Sequence, residues 1–233
     1  SKEEIAEMAG DSDQADTGHH KLPWAVALRN RNYWTILLMY HTYCWGSYFY
    51  LSWLHTFLVK GRGMSQDQMK SLSALPFLVG FCGNIFGGFM SDYLSKRYGL
   101  KIGRRTVGST GLALSGVCML WTSYTADPVW SIILLALGYG AMDCMLPVSW
   151  AVCLDVGKRY AGALSGSMNM AGQLGSFGSS VAFGYMVDYY QSYDLPLRCF
   201  SVMLFVSAYL FTRIDPTQEL PRAEAAAVPV AAS

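Results

Sequence analysis

The 233-residue chain is 52% hydrophobic and only 14% charged, where a soluble domain is about 25% charged. Its net charge of +1 points to no partner, but the placing of the charges is informative. They fall in clusters separated by long apolar runs, a pattern that excludes a soluble globular domain.

Residues 1–32 are polar, first acidic and then basic, and read as a linker in which the adjacent His19 and His20 are solvated rather than metal ligands. Residues 33–59, 71–91, 106–126 and 161–187 contain no Asp, Glu, Lys or Arg, and 128–154 contains a single acid, Asp143. A hydrocarbon layer of about 30 Å needs roughly 20 apolar residues in a helix, so each run is long enough to span it. A sixth run, 195–212, carries Arg198 near one end, where a long side chain reaches the interface. Six spans within residues 33–214 are therefore expected. The tail, 215–233, is rich in Ala, Pro and Glu and too poor in apolar bulk to fold alone.

With residues 1–32 placed inside the cell, 13 of the 17 Lys and Arg lie in inside segments and four in outside loops. The positive-inside bias thus predicts both termini in the cytoplasm. Small residues recur at helical spacing in the second span (Gly80, Gly83, Gly87) and the fifth (Gly162, Gly166, Gly172, Gly175, Ser176, Ser179), as close helix packing in lipid requires. The six cysteines lie within the apolar runs and form no C-x-x-C pair, so neither a zinc site nor a disulfide framework is indicated. No nucleotide-binding loop, metal constellation or nucleic-acid motif is present, and no cofactor is expected.

The segment between the second and third spans carries the strongest motif. Gly88 precedes Asp92 by four residues, and Arg97 and then Gly103-Arg104-Arg105 follow. A glycine near a helix end allows close packing, and a carboxylate at the membrane edge can pair with the basic cluster beyond it. Such a pairing can hold one conformation closed as a latch. An ordinary positive-inside loop explains the basic residues but not the Gly-x-x-x-Asp spacing.

This segment resembles the signature loop of the major facilitator superfamily, which follows the second helix of each six-helix half. Residues 34–59, with Tyr48 and Trp53, resemble helix seven of its anion:cation symporter family. Residues 146–155 resemble the end of helix ten, and 158–169 the start of helix eleven. The likeness runs from about residue 29 to 214. Two departures stand out: His55 occupies a position that is usually Pro, and the stretch between Arg97 and Gly103 lengthens the signature pattern.

The resemblance implies an all-α integral membrane fold, the C-terminal six-helix half of a twelve-helix transporter, in a bacterial inner membrane. It implies proton-coupled symport of a small organic anion, foremost a sugar acid, by alternating access. The implied partners are that anion, H+ or another cation, the lipid bilayer and an N-terminal six-helix half.

Polar groups within spans are costly in lipid and mark candidate functional positions. Asp143 lies near the middle of the fourth span, with Pro147 and Trp150 four and seven residues on, along about the same helix face. Asn169 and Gln173 share a face of the fifth span, while His41, Tyr48 and Trp53 lie in the first. By resemblance the sugar-acid site maps to Ser149, Trp150 and Asn169. An indole can cover a sugar's C–H face while an amide bonds its hydroxyls.

Each of these residues has an alternative reading. Trp150 can be an interface anchor, Asn169 a bond to a neighbouring helix, Asp143 a proton-coupling or a structural acid, and His41 a proton relay or a helix contact. No span carries Lys or Arg in its middle, so the charge partner of an anion is expected from the other half. Two other functions compete with the carrier. An intramembrane hydrolase using Ser165 needs a base within reach, and His41 and His55 lie far upstream. A stand-alone six-helix protein, working as a dimer or scaffold, has no cationic group for the anion.

Overall fold

The computed structural model describes residues 22 and 24–220, and these form helices and turns with no strand. His19, His20 and the tail beyond residue 220 lie outside the described residues. A short helix α1 (Trp24–Ala27) leads into α2 (Arg31–Ser52), whose first turn is capped by the Asn30 side chain accepting from the amides of Asn32 and Tyr33. A cap of this kind contributes about 1 kcal/mol. After a break at Trp53 the chain passes through one short turn (Leu54–Thr56) and a π-turn (Phe57–Gly61). The first apolar run is therefore not one straight helix, and its irregular end is where His55 stands exposed.

A capping box between Ser65 and Gln68 starts α3 (Gln66–Leu72), and α4 (Leu75–Tyr98) and α5 (Leu100–Thr122) follow. Gly99, at φ +92, is the whole turn between them. The signature segment is thus almost entirely helical, with the expected spans 71–91 and 106–126 extended towards each other by about two turns. Asp127 caps α6 (Pro128–Asp143), and α7 (Met145–Gly157) continues it beyond Cys144. The break has a local cause: Pro147 has no N–H, so the carbonyl of Asp143, four residues back, loses its helical donor. The fourth expected span is therefore two helices meeting at Asp143. Finally α8 (Ala161–Tyr190) and α9 (Asp194–Arg213) complete six long rods, counting α6–α7 as one.

The rods form two triads, α2 with α8 and α9, and α4 with α5 and α6–α7, joined along α5 and α9. Small residues set the closest approaches. A Cβ on Gly83 would lie 2.0 Å from the Gly140 carbonyl oxygen, and one on Gly175 would lie 2.3 Å from that of His41. Gly162 and Gly166, by contrast, face open space. The core is aromatic between the rods, where Phe49, Phe57, Phe183 and Phe200 are fully buried. The outer surface is apolar too: Phe81, Phe89, Leu154 and Phe177 are each 64–72% exposed. An apolar exterior of this extent suits lipid, not water.

Three helical stretches are long and apolar enough to cross a membrane by length and composition: Gln66–Tyr98, Pro128–Tyr190 and Asp194–Arg213. The middle one, 63 residues long, contains both the α6–α7 rod and α8. After α9 the chain does not leave the bundle at once. The Asp215 amide donates to Asn32 Oδ1 (2.9 Å), Asn32 Nδ2 donates back to the Asp215 carbonyl (2.8 Å), and the Leu220 amide donates to the Val156 carbonyl (2.9 Å).

Candidate functional site

Two groups of the expected residues come together. The first is the latch, where the Gly99 turn brings α5 back along α4. Gly103 meets α4 backbone to backbone, since a Cβ there would fall 2.4 Å from the Ser95 nitrogen. That contact sets Arg104 against the end of α4. One terminal nitrogen of Arg104 donates to Asp92 Oδ1 at 2.7 Å and to Ser91 Oγ at 2.9 Å, and its Nε donates to Asp155 Oδ2 at 3.1 Å. Arg104 therefore ties α4, α5 and α7 together with charge-assisted bonds.

The other latch residues divide the work. Arg105 donates to the Ile214 carbonyl at the end of α9 (2.5 Å), whereas Arg97 lies exposed and, among the described residues, meets Tyr93 and Tyr98 of its own helix. Gly88 faces Pro147 at ordinary contact distance. Asp155 was not among the expected latch residues; its partner is 51 positions away, and only its place at the end of an apolar run hints at it.

The second group lies along the middle of α2, α7 and α8. Tyr48 donates to Gln173 Oε1 at 3.0 Å, joining α2 to α8. Asn169, one turn before Gln173, is exposed, and so is Trp150 at 42%. Cys153 Sγ lies 3.4 Å from Met168 Sδ, so the turn of α7 carrying Trp150 neighbours the turn of α8 carrying Asn169. These four side chains place hydroxyl, amide and indole groups on an otherwise apolar exterior.

The remaining candidates are engaged elsewhere. Ser149 is fully buried, its hydroxyl donating to the Leu146 carbonyl of its own helix (2.7 Å). Trp53 donates to the Ser180 carbonyl (3.2 Å) and stacks on Phe183 with ring centroids 4.7 Å apart. His41 Nδ1 lies 2.9 Å from the Ala171 carbonyl, and Trp45 Nε1 donates to His41 Nε2 at 3.4 Å, a pattern that fits the tautomer with hydrogen on Nδ1. Asp143 is half-buried at the α6–α7 break, beside Gly80 of α4, and its carboxylate has no hydrogen-bond partner among the described residues. Ser165 donates to the Gly162 carbonyl (3.1 Å), with no histidine bonded to it.

At the opposite end of the bundle lies an ion pair that the residue pattern did not disclose. Arg62, whose side chain is 7% exposed, pairs with Asp194 and donates to the Thr122 carbonyl (2.9 Å) and Ser131 Oγ (3.3 Å). Its guanidinium also lies over the Phe57 ring. Its partner Asp194 is 132 residues away, and in the sequence both look like ordinary loop charges.

Residues 2–180 match the Major Facilitator Superfamily. The chain belongs to that superfamily. It is 34% identical to the probable sulfoacetate transporter SauU of Cupriavidus necator over 215 residues, 92% of this chain and 49% of that protein. It is 31% identical to the probable galactarate/D-glucarate transporter GarP of Escherichia coli over 71% of this chain and 38% of that protein. A hexuronate transporter of Bacillus subtilis is 29% identical over 72% and 41% respectively. The chain thus spans about half or less of the length of these relatives. Membership places it among integral membrane transport proteins and not enzymes, and sets aside the intramembrane-hydrolase alternative.

Proposed function

We propose that this chain is the second six-helix half of a transporter that moves a small organic anion by alternating access, with the anion bound against α2, α7 and α8. The observation that carries the proposal is the row of Tyr48, Gln173, Asn169 and Trp150 on a lipid-type surface. Polar groups facing outward there need a partner of their own kind, and a water-filled path between two halves supplies one. Asn169 and Gln173 would bond hydroxyl or carboxylate oxygens while the Trp150 ring covers C–H groups. Ser149 and Trp53, engaged within the bundle, would shape the site behind them.

A sugar acid or a similarly small organic anion fits a site lined by amides and an indole. It also fits the names of the relatives, which run from sulfoacetate to glucarate and hexuronate. The middle of the spans holds no Lys or Arg, so the anion's charge partner belongs to an N-terminal half. In the proposed orientation both termini are cytoplasmic in a bacterial inner membrane, and the latch end faces the cytoplasm.

Proton coupling is assigned to Asp143, a carboxyl without a partner at a helix break, where protonation and helix geometry can be linked. His41, with both nitrogens in helix contacts, is left a packing role. Uptake by the complete protein in proteoliposomes tests the site. Trp150→Ala should raise KM about tenfold with normal insertion, and an unchanged KM would remove Trp150 from it. Asp143→Asn should abolish proton-driven accumulation and leave exchange intact; retention of both would make Asp143 structural. The half-protein reading is tested by size. The chain has a mass of 25.7 kDa, and a band in native membranes near twice that supports it, while a band at the chain's own mass under denaturing conditions argues against it.

A further inference from the structure

A polar cavity, of ≈ 560 Å³, lies at the latch end between the start of α2, the start of α5 and the end of α9. Arg31, Arg105 and Arg213 line it, one from each helix, with Asn32, Thr35 and Tyr209 between them. We propose that this cavity is a binding site for the phosphate headgroup of an anionic membrane lipid.

The charge balance supports an anion. Among the described residues no carboxylate pairs with any of the three arginines. The one acid in the lining, Asp215, has both oxygens occupied, Oδ2 by Lys101 at 2.6 Å and Oδ1 by the amide and hydroxyl of Thr217. Its charge is therefore balanced before any ligand arrives. Arg105 is anchored through Nε to the Ile214 carbonyl, which leaves its two terminal nitrogens without a partner among the described residues. Arg213 is steadied by Tyr209, whose hydroxyl accepts from it at 2.6 Å. Arg105 and Arg213, each fixed by a hydrogen bond, with Arg31 lining the same cavity, form a site for a phosphate, which accepts paired guanidinium N–H groups.

The position supports a lipid as the source of that phosphate. The cavity sits where three apolar rods end, which in the proposed membrane placement is the level of the headgroups. Tyr209, one turn inside Arg213, is exposed on the rod surface like an interface anchor. Basic pockets between helix ends at this level bind anionic headgroups, at about fivefold in affinity per cation. The proposal rests on the membrane placement of the bundle and not on transport, so its test is read without substrate.

The test compares lipid retention by the complete protein in nanodiscs of phosphatidylcholine alone and with added phosphatidylglycerol, by native mass spectrometry. Wild type should retain phosphatidylglycerol preferentially. Arg31→Gln with Arg213→Gln, which leaves the Arg105 anchor in place, should reduce that retention by roughly twentyfold or more. The paired control Lys96→Gln with Arg159→Gln, which alters exposed charges at the same end, should leave it unchanged. Equal loss in the control would overturn the pocket in favour of a general surface charge effect. Unchanged retention in the double arginine variant would overturn it outright. Displacement of the lipid by millimolar inorganic phosphate, with no preference among headgroups, would make the site one for a free anion and overturn the lipid assignment.

Discussion

The two ends of the bundle are both held by an arginine among carboxylates, yet they are built for different tasks. At one end Arg62 is sunk between α5, α6 and α9, with a single acid, a carbonyl and a hydroxyl around it and the Phe57 ring against it. At the other end Arg104, itself largely buried, bridges two acids, the largely buried Asp155 and Asp92, which is 63% exposed in its side chain. A buried pair is costly to break, because each charge is then stranded. An exposed pair exchanges readily with water and holds its helices by little. We propose that the Arg62 end is a fixed clasp and that the Arg104 end can open at its solvated bond to Asp92, the bond to Asp155 being as sheltered as the Arg62 pair.

That contrast can be broken in several places. The largest effect is expected for Arg62→Ala, which strands Asp194. It should lower stability by about 3 kcal/mol, reduced towards 2 because Asp194 is partly solvated, as read by thermal unfolding in detergent. A loss no greater than that of Arg104→Ala would erase the distinction. Next comes Gly103→Val, which forces α4 and α5 apart at their closest contact. A cost of about 2 kcal/mol is expected, again from unfolding, because Ser95 backbone occupies the space a side chain would need. Arg104→Gln should cost less, about 1–2 kcal/mol in stability, because glutamine keeps a hydrogen-bonding group there and the bond to Asp92 is solvated, while Asp155 still loses its cation. In the complete protein it should nonetheless shift the balance of open and closed states, read by cross-linking across the latch end.

The smallest effect sharpens the picture of the strap that follows α9. Burial opposes ionisation of Asp215, but bonds from Lys101 and Thr217 outweigh it and hold the carboxyl at about 2. Because the folded value lies below the ordinary carboxylate value, the contribution is present at neutral pH and is lost as pH falls from about 4 towards 2. Proteolysis of the tail as a function of pH should show release in that window for wild type. In Lys101→Gln the window should move upward, towards the ordinary carboxylate value.

What the residue pattern disclosed, and what it did not, follows the same division. The apolar runs were legible because lipid demands unbroken stretches; long helices overlap them, with breaks at Trp53 and Cys144 in the first and fourth. Among the described residues, however, helix length and composition mark three stretches as long and apolar enough to cross. The latch was legible in part, since Asp92 and Arg104 are 12 residues apart and carry a motif. Asp155 and the Arg62–Asp194 clasp were not, because their partners meet only through the tertiary fold.

The break at Cys144 was readable from Pro147 and the missing donor for the Asp143 carbonyl, though the run looked continuous. Of the expected site residues, Asn169, Gln173 and Trp150 lie exposed and Tyr48 is half-buried. Ser149 and Trp53, equally polar on paper, are spent on bonds inside the bundle. Helical spacing alone cannot separate those cases.

The most direct test of the account is accumulation of labelled organic anions, sulfoacetate, glucarate and hexuronates among them, by the complete protein in proteoliposomes under an imposed proton gradient. The account predicts that at least one is concentrated above equilibrium and that Asn169→Ala lowers its uptake at least tenfold without loss of protein from the membrane. No accumulation of any such anion, or full uptake by the Asn169 variant, would contradict it.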